Sequence, residues 1–466
     1  MTQRARIEYG LKGGRLNTDA IDNSAGVDTS DHEVNIKILM GDLMARKKIS
    51  RKQRDKLLEE MTDEVAELVL RDNYQQTQSL TVTHHQGIGR MDEQQRLMRS
   101  LERADRLDRE LEFLPDDETL AERHAKDMPL TRPELSVLLA YAKIVTYDAL
   151  LESRLPDDPI LGGDLARYFP EPIRGKYPEA IKRHRLRREI IATGLTNSII
   201  NRTGPAFINE MQLRTGMDVP AIVRAYTISR EVFELRGLWD EIEALDNVAP
   251  ASSQTRMLRQ TVRTLWRITP WFLSNCAHPL DITALIGEFH EGVQRISASL
   301  DDILAPSQRR DTTDRAKRFA QPGVPAELAA RIGRLKALSS APDIVRIAGA
   351  ASQKVEDAGA AYFMIGDRLK LDWLRRAAGA MPADTHWQRL ALGAIIDDMW
   401  GHQYDLTAAA LTNGKTGVEA VKSWVGGRAD TVNRVEQLLA EIIAAPTPDL
   451  AMLAVANREL RALSMR

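Results

Sequence analysis

Apolar residues recur every three or four positions along most of this chain. Val34, Ile38 and Leu39 open the pattern, and Leu57, Leu58, Met61, Val65, Leu68 and Val69 continue it. Over residues 91–114, Leu97, Leu101, Ala104, Leu107, Leu111 and Leu114 form a stripe beside dense Arg, Glu and Asp, which predicts a third helix. Thr131-Arg132-Pro133-Glu134 predicts a helix start, with Thr as the cap and Glu three residues on reaching back to it. The clearest helix is predicted over 220–245, where Ile222, Val223, Tyr226, Val232, Phe233, Leu238, Trp239, Ile242 and Leu245 share a broad face. Alternating runs of Val, Ile and Thr, the mark of strands, are nearly absent after residue 46.

The first thirty residues differ. Lys12-Gly13-Gly14-Arg15 and Asn23-Ser24-Ala25-Gly26 are turn signals, so a short non-helical head is predicted before the helical body. Prolines 156, 159, 170, 172 and 178 cluster around Gly162-Gly163 and Gly175, predicting an irregular connection over 155–178. The polar stretch 306–325 is a second predicted linker. No solenoid repeat or low-complexity segment stands in the sequence.

Composition narrows the class without naming a chemistry. Lys and Arg total 64 against 66 Asp and Glu, a net charge of −2, which argues against a dedicated nucleic-acid binder. The basic runs Arg46-Lys47-Lys48 and Lys182-Arg183-His184-Arg185 lack interleaved aromatics and read as solvated helix faces. Hydrophobic residues at 43% and charged residues at 28% fit a folded globular chain. Its 466 residues are enough for about three domains on a length prior of roughly 150 each. The single Cys276 excludes a disulfide framework and fits a reducing, cytoplasmic setting. No apolar run approaches the roughly 20 residues that cross a bilayer, so no membrane partner is expected.

The informative segment is residues 22–33, Asp-Asn-Ser-Ala-Gly-Val-Asp-Thr-Ser-Asp-His-Glu. Ser30 and Glu33 are spaced as a capping box, which predicts a helix beginning at Ser30. Free N–H groups at such a start receive an anion, and the small residues before it let a ligand approach. The same pattern is equally a turn and a capped helix with no ligand. Asp31-His32-Glu33 and His84-His85 are adjacent residues, which point about 100° apart on a helix, so no metal is expected. Lone Cys276 reads as a small buried hydrophobe.

Asn23-Ser24-Ala25-Gly26-Val27-Asp28-Thr29-Ser30 resembles the Asn-Ala-Gly-Gly-Val-x-x-Ser segment of the glutamate dehydrogenase superfamily. The wider stretch from Leu11 to Leu39 is similar to the large bacterial NAD-specific class. So are Asn201-Arg202-Thr203-Gly204-Pro205-Ala206-Phe207 and the run from Leu238 to Asp246. The resemblance covers essentially the whole chain, in order. It implies a mainly α chain: residues 1–46 as the C-terminal end of an α/β dinucleotide-binding (Rossmann-like) catalytic domain, and 47–466 as a large multi-helical C-terminal domain. It also implies that Asn23 and Gly26 meet the nicotinamide end of NAD, while Val27 and Ser30 line the pocket for L-glutamate and 2-oxoglutarate. The sequence departs from the hexameric pattern at Ser24 and Ala25, where Ala and Gly are usual.

No G-x-G-x-x-G phosphate turn stands in the chain; Gly87-Ile88-Gly89 has no third glycine and no strand before it. No lysine sits in the family's catalytic motif, so no catalytic residue is expected here. The resemblance therefore implies the C-terminal part of a longer, homo-oligomeric enzyme, inactive alone, whose NAD is bound mainly by upstream residues. The competing expectation is a stand-alone helical scaffold that carries the motif without the chemistry.

Overall fold

The computed structural model describes residues 1–383 and 386–464. Among them no strand occurs. The chain divides into two compact units, Met1–Arg230 with Leu265–Leu285, and Glu231–Thr264 with Ile286–Arg466.

In the first unit the helices are α1 (Gln3–Leu11), α2 (Asp19–Asp22), α3 (Ser24–Ala45), α4 (Arg51–Glu60), α5 (Thr62–His84), α6 (Met91–Arg103), α7 (Asp117–Ala125) and α8 (Arg132–Glu152). Three short ones follow, α9 (Gly162–Tyr168), α10 (Glu171–Lys176) and α11 (Pro178–Lys182), then α12 (Arg187–Thr203) and α13 (Phe207–Thr215). Helix α5 is the hub. It packs against α3, α8 and α12, and α8 packs on α12 in turn. Leu80, Leu138, Leu139, Ile199 and Ile200 are fully buried at this centre. Burial of such faces, more than helix propensity, holds helices of this length together.

The expected capping box at α8 is present. The Glu134 carboxylate accepts from the Thr131 N–H at 2.7 Å and from the Thr131 hydroxyl at 2.8 Å. Glu134 is fully buried and both its oxygens also take Arg123 Nη1 at 2.9 Å.

Helices α14 (Val219–Val232), α15 (Leu235–Glu243), α16 (Ala251–Asn275) and α17 (Ile282–Ile303) follow in the chain. The second unit continues with α18 (Pro306–Phe319), α19 (Ala326–Leu338), α20 (Ala341–Ala350), α21 (Val355–Arg368), α22 (Leu371–Ala380), α23 (His386–Ala410), α24 (Gly417–Gly426), α25 (Ala429–Ala444) and α26 (Leu450–Ser464). Helix α18 packs tightly against α19. A Cβ on Gly333 would lie 2.8 Å from the Ala316 nitrogen, so only glycine lets these backbones approach.

Four sequence expectations are corrected. The head is helical rather than non-helical, and residues 1–46 contain no strand. The helix expected over 91–114 ends at Arg103, and Asp105 turns the chain with a φ of 52°. The helix expected over 220–245 is two, broken at Glu234 with a φ of 49°. Most of the polar stretch 306–325 is α18 rather than linker, its charges forming an exposed face; 155–178 is a run of short helices and turns.

Candidate functional site

Helix α3 starts at Ser24, six residues before the predicted start, so Ser30 caps nothing. Burial explains the difference: His32, Ile36, Leu39, Met40 and Leu43 bury one face, and that gain carries the helix back through weak formers. Its first turn is pinned from α5, where Asn73 Nδ2 donates to the Ile21 carbonyl at 2.9 Å and the Ser24 hydroxyl at 2.7 Å. The preceding loop is held by Arg132 of α8, which donates to Asn17 Oδ1 at 3.0 Å and Thr81 Oγ1 at 2.8 Å. Asn17 in turn donates to Asp22 at 2.8 Å.

Of the sequence-predicted residues, Gly26, Val27 and Ser30 share one stripe of α3, and Asn23 is the residue just before its first turn, three positions from Gly26. All four are exposed, Val27 by 67%. A Cβ on Gly26 would stand 2.8 Å from Asn23 Oδ1, so the bare glycine backbone makes the space in which the Asn23 amide rests. An exposed amide, a bare backbone, a branched apolar side chain and a hydroxyl thus lie along about two turns. The amide and the hydroxyl each offer hydrogen-bond donors and acceptors beside an apolar side chain.

The opposite, inner face of α3 carries a polar cluster. One ligand-capable atom from each of Asp28, His32 and Asp72 of α5 lies within 4.8 Å of the others. The His32 ring is 2% exposed and stacks on the Tyr168 ring, centroids 4.2 Å apart and planes 8° from parallel. Asn35 Nδ2 donates to the Tyr168 oxygen at 2.8 Å, and His184 Nε2 meets the Asn35 carbonyl at 3.0 Å.

Burial and mutual repulsion raise the carboxyl of Asp28 to about 7, and burial raises that of Asp72. Burial pushes His32 down to about 4 and Lys143 of α8 down to about 7, although both carboxylates favour the charged lysine. Tyr168 is raised by burial.

Sequence reasoning missed this cluster. With α3 starting at Ser24, Asp28 and His32 are i and i+4 and share a face; pairing His32 with its immediate neighbours hid that spacing. Asp72, Lys143 and Tyr168 come from three other helices and carry no local signal.

The model for bacterial NAD-glutamate dehydrogenase, catalytic domain, matches residues 1–83, and that for glutamate dehydrogenase, C-terminal, matches residues 127–462. The NAD-specific glutamate dehydrogenase of Pseudomonas aeruginosa is 39% identical across all of this chain. That of Halomonas elongata is 37% identical over 99% of it, and that of Mycobacterium tuberculosis 33% over all of it. The chain spans 29% of the length of each of these relatives. The exposed stripe is thus set in a sequence matched over most of its length, and the chain belongs to the glutamate dehydrogenase family, as a C-terminal portion.

Proposed function

We propose that this chain supplies one wall of the active site of an NAD-dependent glutamate dehydrogenase, the enzyme that oxidatively deaminates L-glutamate to 2-oxoglutarate and ammonia. The observation that carries this reading is the exposed stripe of Gly26, Val27 and Ser30 on α3, with exposed Asn23 at its head, on a helix whose other face is locked into the unit. In this reading residues 1–46 end the catalytic domain and 47–466 form a helical body that braces it, in a homo-oligomeric enzyme of the cytoplasm.

Each residue then has a task. Ser30 donates its hydroxyl proton to the side-chain carboxylate of glutamate, because a carboxylate only accepts. Val27 packs against the substrate's methylenes and keeps water from them. Asn23 offers its amide to the carboxamide of the nicotinamide, and Gly26 leaves room for that approach. NAD, when bound, accepts the hydride from the glutamate α-carbon. Residues upstream of the motif hold most of it, since this sequence contains no Gly-rich phosphate turn. A general base is likewise required from upstream residues, so the chain alone is expected to be without dehydrogenase activity.

The test is Ser30→Ala in the enzyme that includes the upstream portion. A lost hydrogen bond to a charged group costs about 1.5–3 kcal/mol, so kcat/KM for glutamate should fall by roughly 10- to 150-fold. Because Ser30 is exposed, the melting temperature should not move. Unchanged glutamate kinetics would remove Ser30 from the pocket. A chain shown to be translated alone, with no upstream partner and no affinity for NAD, would favour the scaffold reading.

A further inference from the structure

The inner face of α3 offers a site that the proposed reaction does not use. Asp28 and His32 sit one turn apart on α3, and Asp72 reaches them from α5. Three atoms all within 4.8 Å of one another share a point no more than about 2.8 Å from each. Metal bonds to His nitrogen and carboxylate oxygen run about 2.0–2.2 Å, so each group needs to close by less than about 1 Å.

A group of carboxylates alone is common on protein surfaces. What sets this one apart is the imidazole. His32 is 2% exposed, its Nδ1 has no hydrogen-bond partner, and its Nε2 lies 3.9 Å from Asp28 Oδ2, beyond hydrogen-bond reach. Asp28 Oδ2 is also buried without a partner. Buried polar atoms in folded proteins are nearly always bonded, so a buried imidazole that leaves Nδ1 unpaired and brings Nε2 beside an unpaired carboxylate oxygen calls for a ligand in this cluster.

We propose that Asp28, His32 and Asp72 bind one divalent transition-metal ion of the zinc class, which ties the first turns of α3 to α5. The donor set is one imidazole and two carboxylates, a borderline mixture that suits Zn²⁺, Co²⁺ or Mn²⁺ better than an all-oxygen site for Ca²⁺ or Mg²⁺. The two carboxylates neutralise the dication. The parallel ring of Tyr168 fixes the imidazole plane, which holds the nitrogen on its target. The ion has a structural role here, since nothing in the reaction proposed above passes through it.

The experiment is metal uptake by the full chain after treatment with chelator. Zn²⁺ and Co²⁺ are titrated by calorimetry, and bound metal is counted by mass spectrometry after desalting. One equivalent per chain is expected, lost in Asp72→Asn and in His32→Gln. Far-UV circular dichroism checks that each variant is folded. If either variant fails to fold, X-ray absorption of the zinc-loaded wild type decides: one imidazole among oxygen ligands is expected, and two or more imidazoles overturn the site. Absence of saturable uptake also overturns it, as does uptake that survives in folded Asp72→Asn and disappears in a His84→Gln/His85→Gln variant.

Discussion

Glu134 gives the sharpest energetic test of how the first unit is built. Its carboxylate is fully buried, caps α8 through Thr131, and takes Arg123, itself 12% exposed, at 2.9 Å. Replacing Glu134 with Ala removes both roles at once. A buried pair broken on one side costs about 3–5 kcal/mol, because the remaining charge is left without a partner. Loss of a helix cap costs about 0.5–2 kcal/mol, but the same carboxylate serves both roles, so the two figures do not add. The expected loss is therefore about 3–5 kcal/mol. In a unit of about 250 residues this lowers the first melting transition by roughly 6–20 °C, at 2–4 °C per kcal/mol. Differential scanning calorimetry separates that transition from any belonging to the second unit. The double variant Arg123→Met/Glu134→Met removes both charges and keeps the volume, and it should recover a large part of the loss. A single variant that costs under about 1 kcal/mol, or a double variant worse than the single, refutes the argument.

Gly26→Ala separates stability from function. Alanine favours a helix over glycine by about 0.5–1 kcal/mol, so the melting temperature should hold or rise. The new Cβ displaces the Asn23 amide, which it would meet at 2.8 Å, and KM for NAD in the complete enzyme should increase. Steady-state kinetics beside a thermal melt check both, and an unchanged KM removes Asn23 from the nicotinamide contact. His184 governs part of the acid response. Its Nδ1 accepts from the Leu186 N–H at 3.1 Å and its Nε2 then donates to the Asn35 carbonyl, an arrangement that only the neutral ring satisfies. Burial lowers its pKa, so below the ordinary imidazole value near 6.5 the unfolded chain takes the proton first. Its contribution is full above that pH and is lost as pH falls through the lowered value. Urea unfolding at a series of pH values from about 8 to 5 should show a shallower decline in His184→Gln than in the wild type; parallel curves would refute this.

The α8 capping box was legible in the sequence because all its partners lie within four residues. The break at Glu234 was not. Val232, Phe233, Leu235 and Leu238 are all buried on both sides of it, so the apolar pattern runs on where the backbone does not. Periodicity records which residues are covered, and a left-handed turn can leave that record intact. Over 91–114 the failure has a related cause: Leu107 and Leu114 are buried from a non-helical turn, while Leu111, counted in the same stripe, is 72% exposed.

The start of α3 shows why a motif can be read correctly as family and wrongly as structure. Ser24, Ala25 and Gly26 are turn residues by local preference, and Ser30 with Glu33 imitates a cap. What decides otherwise is Asn73, 49 positions away, together with a buried face that begins at His32. Once α3 is continuous from Ser24, one helical period sorts the motif into two faces. Asn23, Gly26, Val27 and Ser30 go outward, and Asp28 and His32 go inward to Asp72. The outward stripe can then be held no more firmly than the inward cluster holds the helix. If the outward stripe lines the pocket proposed above, a change at Asp72 or His32 should raise KM for glutamate and NAD in the longer enzyme through the position of α3, and unchanged kinetics would show that the inward cluster does not set that position.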